Sequence, residues 1–311
     1  MKDRSLDDTQ PHTLTDADGN ALRARPPVTH ARVEATGMTH PGRVREDNQD
    51  HYLIARLGRS LHTLSTSLPS GEVPRRFDET GTVMMVADGM GGAVGGEIAS
   101  RTAIQTLVNI LLDVPDWILR GDDASAERLV RRAVRFYRAL NAEISERARV
   151  RPDLSGMGTT MTVAYTIGQA LFIAHVGDSR AYVLRDGRLR QLTRDHTHVQ
   201  RMVDDGTLAP AEAATHRLRH VLTNVIGGGA EGAGVEIHRA ELRDGDRLLV
   251  CSDGLTEVVR DDDIAEVLRR TDAPEFVCRT LVDLALERGG PDNVTVIAAT
   301  CSLDEASTTD A

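Results

Sequence analysis

Apolar residues along this chain fall into short runs that predict β-strands. The stretch VMMVA, residues 83–87, is apolar at every position, which is typical of a strand buried on both faces. Similar runs recur on both sides of it. The predicted strands are RVEATGMT (32–39), DHYLIARL (50–57), TVMMVA (82–87), TTMTVAYTI (159–167), ALFIAHVG (170–177), RAYVLRDG (180–187), RLRQLT (188–193), RLLVCSD (247–253) and NVTVIAAT (293–300).

A second pattern, with apolar residues at every third or fourth position, predicts helices. Two tight turns, Gly168-Gln169 and Asp186-Gly187, join neighbouring strands as hairpins. Because the strands come in hairpin-linked groups and the helices in pairs, the pattern favours a layered α+β fold over a regularly alternating parallel sheet. The predicted helices are EIASRTAIQTLVNILL (97–112), SAERLVRRAVRFYRALNAEISERA (125–148), DDDIAEVLRR (261–270) and PEFVCRTLVDLALERG (274–289).

The remaining segments carry polar and turn-forming residues. We expect residues 1–30 to form a flexible arm. Residues 31–303 are expected to form one domain, and residues 304–311 a polar tail. Inside the domain, the connection at residues 58–81 contains Pro, Ser and Gly and predicts a long loop. Short helices and loops are expected at residues 195–230.

Composition and charge narrow the function classes. With a net charge of −10, the chain is a poor candidate for non-specific binding to nucleic acid or anionic membranes. No apolar run approaches the ~18 residues of a membrane-spanning helix, and the N-terminal residues lack the apolar core of a signal peptide. The three cysteines are far apart and form no zinc-ligand pattern, which suits a reducing compartment. We expect a cytoplasmic protein that binds neither nucleic acid nor membrane.

Acidic residues stand at the ends of several predicted strands. Asp88 and Asp253 each follow a buried apolar run and precede glycine, while Asp50 and Asp292 come just before apolar runs. An isolated Asp-Gly is usually only a turn, but strand ends can bring several side chains to one point. Carboxylates brought together repel one another unless a cation neutralises them, and hard ions such as Mg²⁺ or Mn²⁺ take oxygen ligands. The pattern therefore favours a divalent-cation site.

Six motifs in a fixed order carry a resemblance to a known family. They are VREDNQD (44–50), VADGMGGAVGGEIAS (86–100), PDLSGMGTTMT (152–162), HVGDSRAYVLRDG (175–187), VCSDGLTE (250–257) and GGPDNVTV (289–296). In these motifs the chain resembles the metal-dependent Ser/Thr protein phosphatases of type 2C (the PPM family), in particular the bacterial single-domain members. The resemblance implies a four-layer α-β-β-α sandwich of two antiparallel sheets flanked by helix pairs. It also implies two Mn²⁺ or Mg²⁺ ions as cofactors, with a third ion often present in bacterial members.

The resemblance assigns roles to individual residues. It implies that Asp88 bridges both metals and that the Gly89 carbonyl binds the second metal. It also implies that Asp253 and Asp292 are the remaining carboxylate ligands of the first metal. Further roles by resemblance are Asp50 as the acid that holds metal-bound water, Arg45 as the clamp on the substrate phosphate, and Asp153 as a ligand of the third metal. A guanidinium group suits the phosphate because its fork matches two phosphate oxygens.

Two positions depart from the family pattern. Gln49 stands where Glu is more frequent, and an amide cannot take a proton from metal-bound water. Met90 stands where animal members carry a histidine proposed as the general acid, so metal-bound water is the expected proton donor. Asp178 is interpreted as structural, and Thr159 and Thr160 as sheet packing. Residues 195–230 correspond to the variable flap beside the site.

The function implied is hydrolysis of phosphoserine and phosphothreonine in proteins by a bridging metal-bound water. The expected partners are phosphorylated proteins, with the enzyme opposing bacterial Ser/Thr kinases or acting on anti-sigma-type regulators. One alternative is a non-catalytic, metal-binding regulatory module on the same fold, which Gln49 favours. Another is a metal phosphodiesterase on a different scaffold, which would more often show a His-rich ligand set.

Overall fold

The computed structural model describes residues 30–69, 71–113, 123–213, 215–228, 234–270 and 273–304. The predicted arm and tail lie outside these residues, except for His30 and Asp304, which pair with each other at the ends of two strands. In the described ranges, no helix has the length and apolar character needed to cross a membrane.

Strands and helices alternate in groups along the described chain. The strands are β1 (His30–His40), β2 (Asp50–His62), β3 (Arg76–Met90), β4 (Gly158–Thr159), β5 (Met161–Ile167), β6 (Ala170–Val176), β7 (Arg180–Arg185), β8 (Arg188–Gln191), β9 (Ile226–Gly227), β10 (Glu236–Glu241), β11 (Arg247–Cys251) and β12 (Val294–Asp304). The helices are α1 (Ala93–Asp113), α2 (Asp123–Val150), α3 (His198–Asp204), α4 (Pro210–Ala213), α5 (Asp253–Thr256), α6 (Asp261–Arg270) and α7 (Pro274–Glu287). One 3₁₀ turn, Pro152–Leu154, follows α2.

The strands form two antiparallel sheets. Within the described residues, the first sheet has the order β1-β12-β11-β7-β8, and the second has the order β10-β6-β5-β3-β4-β9, with β2 paired to β3. The two predicted hairpin turns are confirmed, between β5 and β6 and between β7 and β8. In the second turn both Asp186 and Gly187 have positive φ, as a tight hairpin with matching twist requires.

Three apolar clusters hold the layers together and confirm the predicted four-layer sandwich. Alternate residues of β3 point to different clusters. Met85 packs with α1 and α2 side chains, whereas Met84 packs between the sheets against residues such as Ile297 of β12. A third cluster lies between the first sheet and α6 and α7, around Leu281. The apolar run of residues 83–87 is therefore buried on both faces, because the strand separates two cores.

Three local predictions need correction. The long loop expected at residues 58–81 is largely a hairpin, because β2 and β3 stay paired out to His62 and Arg76, leaving residues 63–75 as the connection. That part of the hairpin is mostly exposed, so its sequence lacks the apolar alternation that marks a half-buried strand. The edge strand β10 and the single turn α5 were also missed, since neither is long or periodic enough to be read from sequence.

Candidate metal centre and active site

The acids expected to meet do so at one edge of the sandwich. Asp50 and Asp88 are directly paired across β2 and β3, two residues before β3 ends. Asp253 opens α5 after β11, and Asp292 precedes β12. An open cleft of about 1330 Å³ lies at this edge. Its lining includes Arg45, Gln49, Asp88, Gly89, Asp178, Asp253 and Asp292.

Neighbouring threonines fix the backbone of Asp88. Its N–H is bonded to Thr160 Oγ1 at 3.2 Å, and its carbonyl accepts from Thr160 N and Thr159 Oγ1, each at 2.8 Å. Thr160 Oγ1 also shares a 2.8 Å hydrogen bond with the buried Ser179 hydroxyl. The two threonines expected only to pack in the sheet therefore also fix the backbone from which the Asp88 carboxylate projects.

Asp50 lies buried behind the cleft wall. Its Oδ2 accepts a hydrogen bond from Ser252 Oγ at 2.7 Å, which ties β2 to the end of β11. Its Oδ1 is fully buried and has no well-formed hydrogen bond to the described residues. The nearby Thr295 hydroxyl favours the charged carboxylate but is itself hydrogen-bonded to Thr39 Oγ1 at 2.7 Å. One oxygen of a buried carboxylate is thus left with unsatisfied acceptor capacity beside the acid cluster.

Burial and mutual repulsion shift the pKa values of these acids upward. Burial chiefly raises the pKa of Asp50, to about 7, with the charges of Asp253 and Asp292 adding to it. Burial, followed by the charge of Asp292, raises the pKa of Asp253 to about 6. The pKa of Asp88 is well above its usual range because of burial and the charges of Asp50 and Asp253, with which it forms a tight group. This donor set fits hard divalent cations, since bound cations would neutralise several buried carboxylates that repel one another.

Arg45 stands at the mouth of the cleft. Its Nη2 donates to Asp292 Oδ2 at 2.7 Å, and about half of the arginine side chain is exposed. The hydrogen bond to Asp292 raises the pKa of Arg45, with further contributions from Asp253 and Asp88. Asn293 holds the loop that carries this arginine, because its Nδ2 donates to the Pro41 and Asp47 carbonyls at 2.9 Å each.

Gly89 and Gln49 pack closely against the start of α1. A Cβ atom at Gly89 would lie 2.1 Å from the carbonyl oxygen of Gly96, and one at Gly96 would lie 1.9 Å from Oε1 of Gln49. The Gly89 N–H also donates to the Gln49 carbonyl at 3.2 Å. The Gly89 backbone therefore reaches the cleft only because both glycines lack side chains.

Asp153, unlike Asp50 directly behind the cleft wall, is a predicted site residue that the structure leaves on the exposed surface, away from the cleft lining. It is exposed on the 3₁₀ turn and pairs with Arg151 Nη2 at 2.5 Å, which lowers the pKa of the Asp153 carboxyl. The same segment nevertheless passes over the cleft, because a Cβ at Gly91 would lie 2.6 Å from the Gly156 carbonyl oxygen. The assignment of Asp153 as a ligand of a third metal stays a prediction.

Several cleft residues were not identified as functional from the sequence. Asp178, interpreted as structural, lines the cleft, and its pKa is raised well above the usual range by burial and by the charge of Asp253. The flap contributes His220 through Val225, and α5 is followed by Glu257, which also lines the cleft. The GDSR motif could have drawn attention to Asp178. No sequence signal links His220 to Glu257, because they are 37 positions apart and neither lies in a periodic pattern.

Comparisons with known proteins agree with this arrangement. The sequence model of the family described as "Protein phosphatase 2C" matches residues 75–285. The chain is 40% identical over 219 residues to the serine/threonine protein phosphatase PstP of Mycobacterium tuberculosis, a match that covers 70% of this chain and 40% of PstP. The chain thus spans less than half the length of that relative. It is also 32% identical over 216 residues to the serine/threonine phosphatase stp of Listeria monocytogenes, covering 69% of this chain and 82% of stp.

Solved structures show the same likeness. The PstP catalytic domain in complex with two manganese ions superimposes with a TM-score of 0.68 at 33% identity, covering 88% of this chain and 99% of that chain. The serine/threonine phosphatase of S. agalactiae superimposes with a TM-score of 0.71 at 29% identity, covering 86% and 99%.

Proposed function

Because the chain belongs to the protein phosphatase 2C family, we propose that it is a metal-dependent enzyme that hydrolyses phosphoserine and phosphothreonine in proteins. The observation that carries the proposal is the group of neighbouring, largely desolvated carboxylates at the sheet edge, with an arginine at the mouth of the same cleft. An anionic phosphate ester would enter such a cleft only if cations offset the acids.

In this proposal Asp88, the Gly89 carbonyl, Asp253 and Asp292 hold two divalent cations. Asp153 would serve a third cation only after releasing Arg151, with which it is paired. When bound, the cations neutralise the carboxylates and acidify a water molecule so that it can attack phosphorus. Mn²⁺ in the solved PstP structure makes Mn²⁺ the first ion to test.

The chain's own residues position the substrate. Arg45 would bind two oxygens of the phosphate, an exchange in which it releases Asp292 and leaves that carboxylate free for a cation. The unsatisfied Oδ1 of Asp50 is available as a hydrogen-bond acceptor for ordered water behind the metal ligands. Gln49 supplies an amide at the cleft wall, which can order water but not remove its proton.

A non-catalytic metal-binding module on the same fold is the second candidate. Gln49 is the observation that favours it, since a carboxylate at this place could act as a base and an amide cannot.

The partners proposed for the enzyme are phosphorylated proteins, and the reaction would oppose bacterial Ser/Thr kinases or act on anti-sigma-type regulators.

Phosphate release in the presence of Mn²⁺ tests the proposal. We expect the purified chain to hydrolyse p-nitrophenyl phosphate and a phosphothreonine peptide, and to lose this activity in EDTA. Arg45→Ala should lower kcat/KM on the peptide by about 30- to 150-fold, because a charged hydrogen-bonded contact with phosphate is worth roughly 2–3 kcal/mol.

Arg56→Ala is the matched control, because Arg56 is exposed on β2 outside the cleft lining. The kcat/KM of this variant should equal that of the unsubstituted protein. If the unsubstituted protein binds Mn²⁺ but hydrolyses neither substrate, the module interpretation replaces the enzyme. If Arg45→Ala retains the full rate, the arginine is not the phosphate contact.

A further inference from the structure

His220 occupies the cleft wall formed by the flap, defined here as residues 195–213 and 215–228. It lines the same cleft as Asp88, Asp253 and Arg45. Its charge acts on the Asp253 carboxyl, whose pKa it lowers against the larger upward effect of burial. The imidazole is 45% exposed, so it is open to a bound ligand.

Glu257 lies beside the His220 ring. Nε2 of His220 lies 3.3 Å from Oε1 of Glu257, and Nη2 of Arg219 lies at the same distance from that oxygen. The Glu257 N–H donates to the Asp253 carbonyl at 2.8 Å, so the two acids are one helical turn apart. One turn therefore carries both a candidate metal ligand and the carboxylate that orients the histidine.

The backbone beside His220 is also held in place. The carbonyl of Val221 accepts from His198 N at 2.8 Å, and Thr223 N donates to the His196 carbonyl at 2.8 Å. These bonds pair the two ends of the flap next to the cleft. Nε2 is the ring nitrogen that lies near Glu257, and Nδ1 makes no hydrogen bond to the described residues.

Apart from Asp178, whose pKa is also raised, the other polar groups of the cleft are poorly suited to giving up a proton. The carboxylates would be kept ionised by the cations they bind, and a guanidinium group does not release its proton. Of the described cleft-lining side chains, His220 is of the type that ordinarily changes charge near neutral pH and need not bind a hard cation. The charged groups that face it are Glu257 and Asp253 from α5 and Arg219 from the flap.

We propose that His220 is a catalytic residue of this site, the donor of the proton taken up by the leaving seryl or threonyl oxygen. The inference rests on the proposed phosphatase function and assigns the leaving-group end of the same cleft. Water oxygen bonds to phosphorus and releases one proton to solvent, while the bond from phosphorus to the side-chain oxygen breaks. The electron pair of the broken bond stays on that oxygen, which takes the proton from Nδ1. The neutral imidazole then regains a proton from solvent.

A pair of substrates with different leaving groups tests this role. p-Nitrophenolate leaves without protonation, whereas a threonine alkoxide does not. With His220→Gln we expect kcat on a phosphothreonine peptide to fall by about 100-fold, the size typical of general acid catalysis. The rate on p-nitrophenyl phosphate should change by less than about threefold, since that step needs no acid. The fall in peptide rate on the alkaline side of the pH profile should disappear in the variant.

Two further variants sharpen the result. His198→Gln makes the same substitution at an exposed flap position outside the cleft lining and should leave both rates unchanged. Glu257→Gln keeps an acceptor for Nε2–H but removes the charge, and should lower the peptide rate by less than His220→Gln does. Unchanged melting temperatures establish that the variants are folded.

Nitrogen-resolved NMR of the histidine rings in the metal-free protein gives a readout independent of activity. The His220 signals, assigned by their loss in His220→Gln, should show protons on both Nε2 and Nδ1 at the pH of maximal peptide activity, as a proton donor at Nδ1 requires. A ring without a proton at Nδ1 at that pH, equal loss on both substrates or no loss on the peptide would each overturn the proposal. Failure of the unsubstituted protein on both substrates would instead remove the proposed function and would be seen before any variant is made.

Discussion

Asp88 occupies a position that favours cation binding but costs stability. It is half-buried among other carboxylates, and its desolvation together with their charges raises the pKa of Asp88 well above the usual range. A buried charge without a partner is destabilising, yet the Asp88 backbone is fixed by the hydrogen bonds from Thr159 and Thr160. The surrounding strands hold the carboxylate where only a cation, or a proton, relieves the repulsion.

Gly89 provides a residue-scale prediction, because its missing side chain is what lets the β3 backbone meet α1. Gly89→Ala would place Cβ 2.1 Å from the Gly96 carbonyl oxygen and 2.9 Å from that of Gln49, so backbone must move. We expect a loss of unfolding free energy of about 3 kcal/mol or more, at the upper end of the overpacking range, together with weaker Mn²⁺ binding. Urea unfolding and calorimetric titration measure the two effects.

Gly58→Ala is the matched control for this prediction. Gly58 lies on the same hairpin, its φ is not positive, and a Cβ there would be 3.7 Å from its nearest neighbours. Its stability should stay within about 1 kcal/mol of the unsubstituted protein. Equal effects of the two substitutions would show that crowding at Gly89 is not the cause.

At the scale of elements, β6 and the flap meet through two histidine rings. The His175 and His196 ring centroids are 4.8 Å apart. His175 is fully buried, with Nδ1 bonded to Thr162 Oγ1 at 2.8 Å and Nε2 to the Arg194 carbonyl at 3.1 Å. His196 Nδ1 accepts from the Gly177 N–H at 3.1 Å, and its Nε2 lies 3.3 Å from Glu236 of β10. The neutral rings therefore join the base of the flap to the second sheet.

This junction makes the fold sensitive to acid. Burial, followed by the charge of His196, lowers the pKa of His175 to about 3, below the unfolded value of about 6.5. The unfolded chain then binds more protons than the folded one between these two values, so stability is lost as the pH falls from 6.5 toward 3. From pH 7 to pH 5 we expect His175 to contribute a loss of about 2 kcal/mol in unfolding free energy.

The difference between the unsubstituted protein and His175→Gln isolates this effect, because the carboxylates titrate in both. Urea unfolding in EDTA should give a flatter pH dependence in the variant than in the unsubstituted protein. His62→Gln, at an exposed position near the hairpin tip, should keep the original slope. A slope unchanged by His175→Gln would mean that the folded state accepts a proton there.

At the scale of the whole molecule, the acid cluster lies where the two sheets meet. Asp50 and Asp88 belong to strands of the second sheet, whereas Asp253 and Asp292 flank β11 and β12 of the first. Ser252 Oγ, bonded to Asp50 Oδ2, is one direct link between the sheets at this edge. Cations bound by Asp88 of the second sheet and by Asp253 and Asp292 beside the first would be a stronger link, and the whole fold should respond to them.

Mn²⁺ should therefore raise the melting temperature of the chain by several degrees, since saturation at 100 times Kd adds about 2.7 kcal/mol. The raised pKa values of Asp50, about 7, and Asp253, about 6, set the sign of the pH dependence of this increase in melting temperature. As the pH rises through these values the metal-free cluster becomes charged and loses stability, so the Mn²⁺-induced increase should be larger at pH 8 than at pH 6. Scanning calorimetry with and without Mn²⁺ measures it.

Asp88→Asn is the control for the metal effect. Without metal the variant should be at least as stable as the unsubstituted protein, because it removes one buried charge from a repelling group. Its melting temperature should hardly respond to Mn²⁺. A full response in the variant would exclude Asp88 as a ligand.

The sequence alone determined the layered plan and which acids would meet. Local periodicity distinguishes a strand buried on both faces, such as residues 83–87, from an amphipathic helix, and Asp186-Gly187 specifies a tight hairpin turn. The motifs that end in Asp88 and Asp253 are likewise local, because each pairs an apolar strand with the turn that ends it. The family resemblance supplied the order in which these pieces assemble.

Tertiary structure alone decided the rest. The exposed outer half of the β2–β3 hairpin is held by backbone hydrogen bonds, which leave no apolar pattern. The contacts of Arg45 with Asp292 and of His220 with Glu257 join residues 247 and 37 positions apart in the chain. Contacts of this kind depend on where the folded chain brings distant segments together, and no local pattern of side chains encodes that meeting.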